Sequence, residues 1–149
     1  MKTWKIILLI IVAGGLLAAI LGYVFVYNKA HRDYERARPD MALSASELYQ
    51  AFAINEKEAE ETFINKVLLI DGTLAGVEQP ADDMVVLSFV FAEGFFGGEG
   101  VRCTMLPSQH DRALQLSAGD QVVVKGLCTG FTGTDVILEH ASFESETIR

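Results

Sequence analysis

Two cysteines, three histidines and one aromatic pair are the residues of this 149-residue chain whose types and spacing could do chemistry. Cys103 and Cys128 have 24 residues between them, and each falls in a predicted strand. In an oxidising compartment they form one disulfide, worth about 3–4 kcal/mol on loop entropy. In a reducing one they stay thiols and pack as small apolar side chains. Both states remain open at this point. No C-x-x-C pair is present, and His31, His110 and His140 share no ligand spacing with each other or with the cysteines. No metal and no cofactor is therefore expected.

Catalytic patterns are equally absent. A G-x-S-x-G elbow does not occur. Glu56, Glu58, Glu60 and Glu61 crowd the first turns of a predicted helix, where the helix dipole favours them as a solvated face. The glycine-rich run EGFFGGEG at 93–100 lacks a following Lys-Ser or Lys-Thr, and no helix opens after it. It cannot cradle phosphate as a P-loop does. The run does hold Phe95 and Phe96, which could stack on a ligand or fold back over the sheet. For base stacking they would need cations on the same face. Lys66, Arg102 and Lys125 are the strand-region candidates, and with the two phenylalanines they make up the candidate ligand-binding set. No enzyme activity is expected.

The charge distribution narrows the partner. Residues 1–39 carry six cations against two acids, a balance of +4. Residues 40–149 carry six cations against 18 acids, a balance of −12. Phosphate neutralisation supplies most nucleic-acid affinity, so nucleic acid is disfavoured as a partner of the acidic part.

What must position these residues is tethered. From 6 to 27 the chain reads IILLIIVAGGLLAAILGYVFVY, 22 residues without a charge. At helical rise this spans roughly 33 Å, enough for a hydrocarbon core of about 30 Å. Trp4 at one end and Tyr23 and Tyr27 at the other suit the interfaces. The run exceeds a signal-peptide core and no A-x-A follows it, so an uncleaved anchor in the lipid bilayer is expected. Lys2 and Lys5 precede it in the signal-anchor manner, which puts the C-terminal domain on the extracytoplasmic side of the inner, cytoplasmic membrane. Lys29, Arg32, Arg36 and Arg38 follow it, and their count favours the reverse orientation.

The expected organisation is a basic flank at 1–5, the anchor at 6–27, a juxtamembrane linker at 28–43 and one domain at 44–149. Ser44 with Glu47 makes a capping box, and Asn55 with Glu58 starts a second short helix. Leu48, Phe52, Ala59 and Phe63 continue one apolar stripe. Residues 67–77 read as a long first strand bent at Gly72 and Gly76. A turn at 80–83 precedes a second strand at 84–91 and a third at 101–105. A short helix at 109–116 points Leu114 and Leu116 inward. The fourth strand is QVVVKGLC at 121–128, and the fifth, 135–143, places Val136, Leu138 and His140 on one side. The tail SETIR is expected to fray. The fold class is thus mainly β: a five-stranded OB-type barrel with two short N-terminal helices, a short helix between strands three and four, and one preceding transmembrane helix.

The chain resembles the tRNA_anti-like family, bacterial OB domains that are membrane-anchored or exported. The residues carrying the likeness are ELYQAFAINEKEAEETFINKVLLIDGTLAGVE at 47–78, VRC at 101–103 and LSAGDQVVVKGLCTGFTGTDVILEHASF at 116–143. The resemblance implies an OB fold and a two-cysteine arrangement, and it supplies no activity. A second, architectural likeness is to the haem chaperone of cytochrome c maturation, whose haem-attaching His lies in H-x-x-x-Y. Here His140 is followed by Glu144 at the tyrosine position, which breaks that pattern. The expected function is a non-catalytic binding or adaptor module for a protein, peptide, glycan or small ligand. A single-stranded nucleic-acid binder is the alternative, and a haem carrier the weaker one.

Overall fold

The computed structural model describes residues 2–28 and 33–144, with side chains to Val26 in the first stretch. Lys29, His31 and Arg32 of the expected linker, and the tail 145–149, lie outside the described residues, as does the side chain of Tyr27. The chain divides into two compact units, with the boundary between Asp33 and Tyr34.

The first unit is one helix, α1 (Lys2–Asn28). Its described side chains are exposed along its length, and over Lys2–Val26 it is long and apolar enough to cross a membrane.

The second unit is mainly sheet. Its elements are β1 (Met41–Ser44), α2 (Ala45–Ile54), α3 (Glu56–Phe63), β2 (Val67–Thr73), β3 (Gly76–Ala81), β4 (Met84–Gly94), β5 (Gly97–Met105), α4 (His110–Leu114), β6 (Gln121–Phe131) and β7 (Asp135–Phe143). A single 3₁₀ turn, Pro107–Gln109, leads into α4. The seven strands pair in the order β1-β2-β6-β7-β5-β4-β3. Two pairs, β1·β2 and β5·β7, are parallel, and the remainder are antiparallel.

Seven strands stand where five were expected. Residues 41–43, read as linker, and Ser44, read as the start of the domain, pair with Leu68–Asp71, and the chain is pinned just before them. Asp40 N–H donates to the Val67 carbonyl at 2.7 Å, and Val67 N–H donates to Asp40 Oδ2 at 2.9 Å. The bent first strand breaks at Leu74–Ala75 into β2 and β3, which stand far apart in the strand order yet are joined by two residues. Gly72, inside β2, lets the strand pack closely, since a Cβ there would come within 3.0 Å of the Phe89 ring and 3.2 Å of Ala45.

Local signals hold where they are strongest. Ser44 Oγ accepts from Glu47 N–H at 3.1 Å while Glu47 Oε2 accepts from Ser44 N–H at 2.9 Å. Asn55 caps α3 with its side chain: Oδ1 accepts from Glu58 N–H at 3.3 Å and Nδ2 donates to Glu58 Oε2 at 3.0 Å. Leu48, Phe52, Ala59 and Phe63 enter the core with the alternate residues Val85, Leu87 and Phe89 of β4. Two side-chain placements differ from expectation. In α4 it is Ala113 that is buried, and Leu114 faces out, because a five-residue helix presents only one inward position here. In β7, Val136 and Leu138 are buried, but His140 sits at φ 52° where the pairing with β6 slips. That bulge turns its ring away from the core.

Candidate interaction site

The β4–β5 hairpin outruns its neighbours. β3 pairs with β4 only as far as Ser88, and β7 pairs with β5 only from Gly100. Among the described residues, 91–99 therefore pair only with each other, as a two-stranded ribbon about 15 Å long at strand rise. A lone two-stranded ribbon is marginal in water. This one is braced at its base: the Tyr49 ring of α2 stacks with Phe91 at 6.0 Å, and Tyr49 Oη donates to Glu99 Oε2 at 3.1 Å. Burial, then the hydrogen bond to Glu99, push the Tyr49 hydroxyl pKa up.

The ribbon tip is Phe95-Phe96, between the paired Gly94 and Gly97. Gly97 takes φ 120°, a conformation side chains resist, so the turn needs glycine there. Glycine on both flanks leaves nothing to cover the rings. They meet edge to face at 5.1 Å and are 95% and 92% exposed. The alternative that they fold back over the sheet is thereby excluded. Burying an exposed phenylalanine yields about 1.5–3 kcal/mol, so the tip holds several kcal/mol that only a partner can recover. At the ribbon's base, Val90 and Phe91 line a groove of about 390 Å³ with Ser44, Asp71, Thr73 and Gln121.

The three candidate cations are not gathered at the tip. Arg102 lies five residues beyond Gly97 on β5, about 16 Å away along the strand. It is held by Glu78 at 2.9 Å and Asp135 at 3.4 Å. Lys125, on β6, is 7% exposed and donates through Nζ to the Glu35 carbonyl at 2.8 Å. Lys66 precedes β2, its backbone engaged with Phe63 and Cys128. Sequence reading missed the cover over Lys125. Residues from Tyr34 dock there, with Glu35 Oε1 accepting from Gln109 at 2.8 Å and Tyr34 stacked on His140 at 4.6 Å. No local signal marks this contact, because Glu35 and Lys125 are 90 positions apart.

Cys103 and Cys128 are both buried and free. Each pairs in register with Leu138, so β7 stands between them. Two strand spacings put their Cα atoms about 9–10 Å apart, beyond the roughly 7 Å a disulfide can bridge. Of the two states left open by the sequence, this geometry fits two free thiols. Burial pushes both thiols up: Cys128 to about 11, against a backbone hydrogen bond from Gly130 that lowers it, and Cys103 further in the same direction. The folded state then keeps protons that the unfolded chain releases from about pH 9. The thiols' contribution is complete below that pH and falls as pH rises towards about 11. Urea unfolding at pH 8 and pH 10 should show a steeper alkaline loss in the parent chain than in a Cys103→Ala/Cys128→Ala variant; equal slopes would contradict the buried-thiol account.

Among the described residues no group of three or more His, Cys, Asp or Glu side chains could hold a metal.

A family model described as tRNA_anti-like matches residues 1–142. No curated protein matches the sequence. Among solved structures, a Klebsiella pneumoniae lipoprotein provisionally described as nucleic acid-binding aligns with TM-score 0.55 at 14% identity, over 70% of this chain and 91% of that one. A Leishmania major protein provisionally described as an aspartyl-tRNA synthetase aligns with TM-score 0.46 at 14% identity, over 80% of this chain and 24% of that one. The S. pombe Stn1–Ten1 complex aligns with TM-score 0.37 at 20% identity, over 54% of this chain and 59% of that one. The first establishes a shared fold; the other two are too distant to bear on it.

Proposed function

The chain belongs to the tRNA_anti-like family, and from that premise we propose that it is a membrane-tethered, non-catalytic binding module whose contact element is the 91–99 ribbon. The observation that carries this is the pair Phe95 and Phe96, held out on a braced ribbon with no cover of their own. The strand order supports an OB barrel: β2 and β3 are halves of one bent run, and closing the sheet through them leaves five strands with β1 as an added edge. On this reading residues 1–5 flank the anchor, 6–27 cross the bilayer, and the domain begins near Tyr34, since that is where the chain starts to dock on the sheet. The domain faces away from the cytoplasm, as the signal-anchor form of the N-terminus suggests.

Single-stranded nucleic acid is the second reading, supported by the description of the Klebsiella neighbour. The pairing of Arg102 with two acids and the burial of Lys125 argue against it, because both remove cations that phosphates would need.

The test places a photo-crosslinking phenylalanine at position 96 of the full chain in cells and compares capture with that at exposed Ile54. Capture of a defined partner at 96 alone is expected. A Phe95→Ala/Phe96→Ala chain should lose association with that partner by tenfold or more while keeping its melting temperature, since hot-spot aromatics carry about 2 kcal/mol or more. Undiminished association would remove the tip from the site.

A further inference from the structure

Resting on the ribbon as the contact element, we propose that its occupant is a cationic polypeptide segment with an apolar anchor, seated along the free edge of β4 and in the groove at the ribbon's base. Charge is the first argument. From Val67 to Val101 the chain holds Asp71, Glu78, Asp82, Asp83, Glu93 and Glu99, and not one Lys, Arg or His. Glu78 is engaged by Arg102. Asp71 lines the groove beside Phe91, and Glu93 and Glu99 stand on the ribbon itself. The contact element thus carries only negative charge, within a part of the chain that balances at −12. This field draws in lysine- or arginine-rich segments and repels polyanions and anionic lipid surfaces.

Backbone geometry is the second argument. Beyond Ser88 no strand among the described residues pairs with the outer edge of β4, while Val90 and Phe91 line the groove with Leu74 and Ala75. An extended segment can add there by main-chain hydrogen bonds, its alternate side chains falling towards the groove and towards solvent. The apolar residue then meets Phe95 and Phe96 at the tip, the flanking chain passes Phe91 in the groove, and its cations meet the acids.

The test uses the full chain in phosphatidylcholine nanodiscs and three labelled probes. The first is a 12-residue peptide of alternating Lys and Thr with one central Trp. The second has Glu for each Lys, and the third is a 12-nucleotide oligo-dT. The lysine peptide alone is expected to bind, and raising salt from about 50 to 300 mM should weaken it tenfold or more. An Asp71→Asn/Glu93→Gln chain with an unchanged melting temperature should bind it about fivefold or more weakly. Binding by the glutamate peptide or oligo-dT at equal strength overturns the proposal, as does no binding by the lysine peptide. Undiminished binding by the Asp71→Asn/Glu93→Gln chain, with the Phe95→Ala/Phe96→Ala chain weakened, overturns the cationic assignment and leaves the ribbon reading standing. Full binding by the Phe95→Ala/Phe96→Ala chain sinks the ribbon reading itself.

Discussion

A Phe52→Ala chain is expected to lose about 3–5 kcal/mol of stability, the range for truncating a buried phenylalanine. Phe52 is 1% exposed, and its ring lies 5.2 Å from that of Phe131 on β6 and 6.0 Å from that of Phe63 on α3. Three elements therefore lose packing at one position. A domain of this size has only about 5–15 kcal/mol in total, so the variant should melt far below the parent. Thermal unfolding followed by near-ultraviolet circular dichroism checks it; a cost below about 1 kcal/mol would mean that α2 is not part of the core. The same variant should weaken partner capture, because α2 also carries Tyr49, one turn before Phe52, and Tyr49 braces the ribbon. That couples stability to binding at Phe52, whereas Phe95 and Phe96 touch binding alone.

A Gly100→Ala chain should be destabilised by roughly 3 kcal/mol, at the upper end for overpacking. A Cβ at Gly100 would run into the carbonyl oxygen of Phe89 and come within 2.8 Å of its carbonyl carbon. Both are backbone atoms, which no rotamer change can move aside. Gly100 also marks where the ribbon leaves the sheet, and its N–H donates to Asp135 Oδ1 at 3.1 Å. Displacing it should loosen both the β4–β5 pairing and the ribbon base. Gly130→Ala is the control: a Cβ there meets nothing within 4 Å, and its cost should stay below about 1 kcal/mol. Equal stability of the two variants in urea would refute the packing account of Gly100.

Capping was legible because it is local. Ser44 with Glu47 and Asn55 with Glu58 need only residues three apart, and both interactions form. β4 was legible as a strand for a similar reason, since the apolar run MVVLSFVF lies within eight consecutive residues, but all of Val85–Phe89 are buried, so its two faces could not be told apart in the sequence. The four residues Met41–Ser44 gave no such signal. Their strand exists because β2 offers an edge and Asp40 fixes the approach, neither of which is visible in MALS. Leu114 failed by one position, because the burial of a single helical turn depends on where it docks.

The site divides in the same manner. Sequence alone determined an apolar helix long enough for a membrane, an acidic remainder, a largely β pattern and an aromatic pair between glycines. Each of these follows from composition or from spacing within a few residues. Tertiary structure decided the rest. It separated Cys103 from Cys128 by a strand, covered Lys125 with Glu35, tied Arg102 to two acids, and left the Phe95 and Phe96 rings exposed at the ribbon tip. All four outcomes depend on which strands lie side by side, a relation between residues 24 to 90 positions apart. Local preferences do not encode that relation; only packing of the whole sheet does.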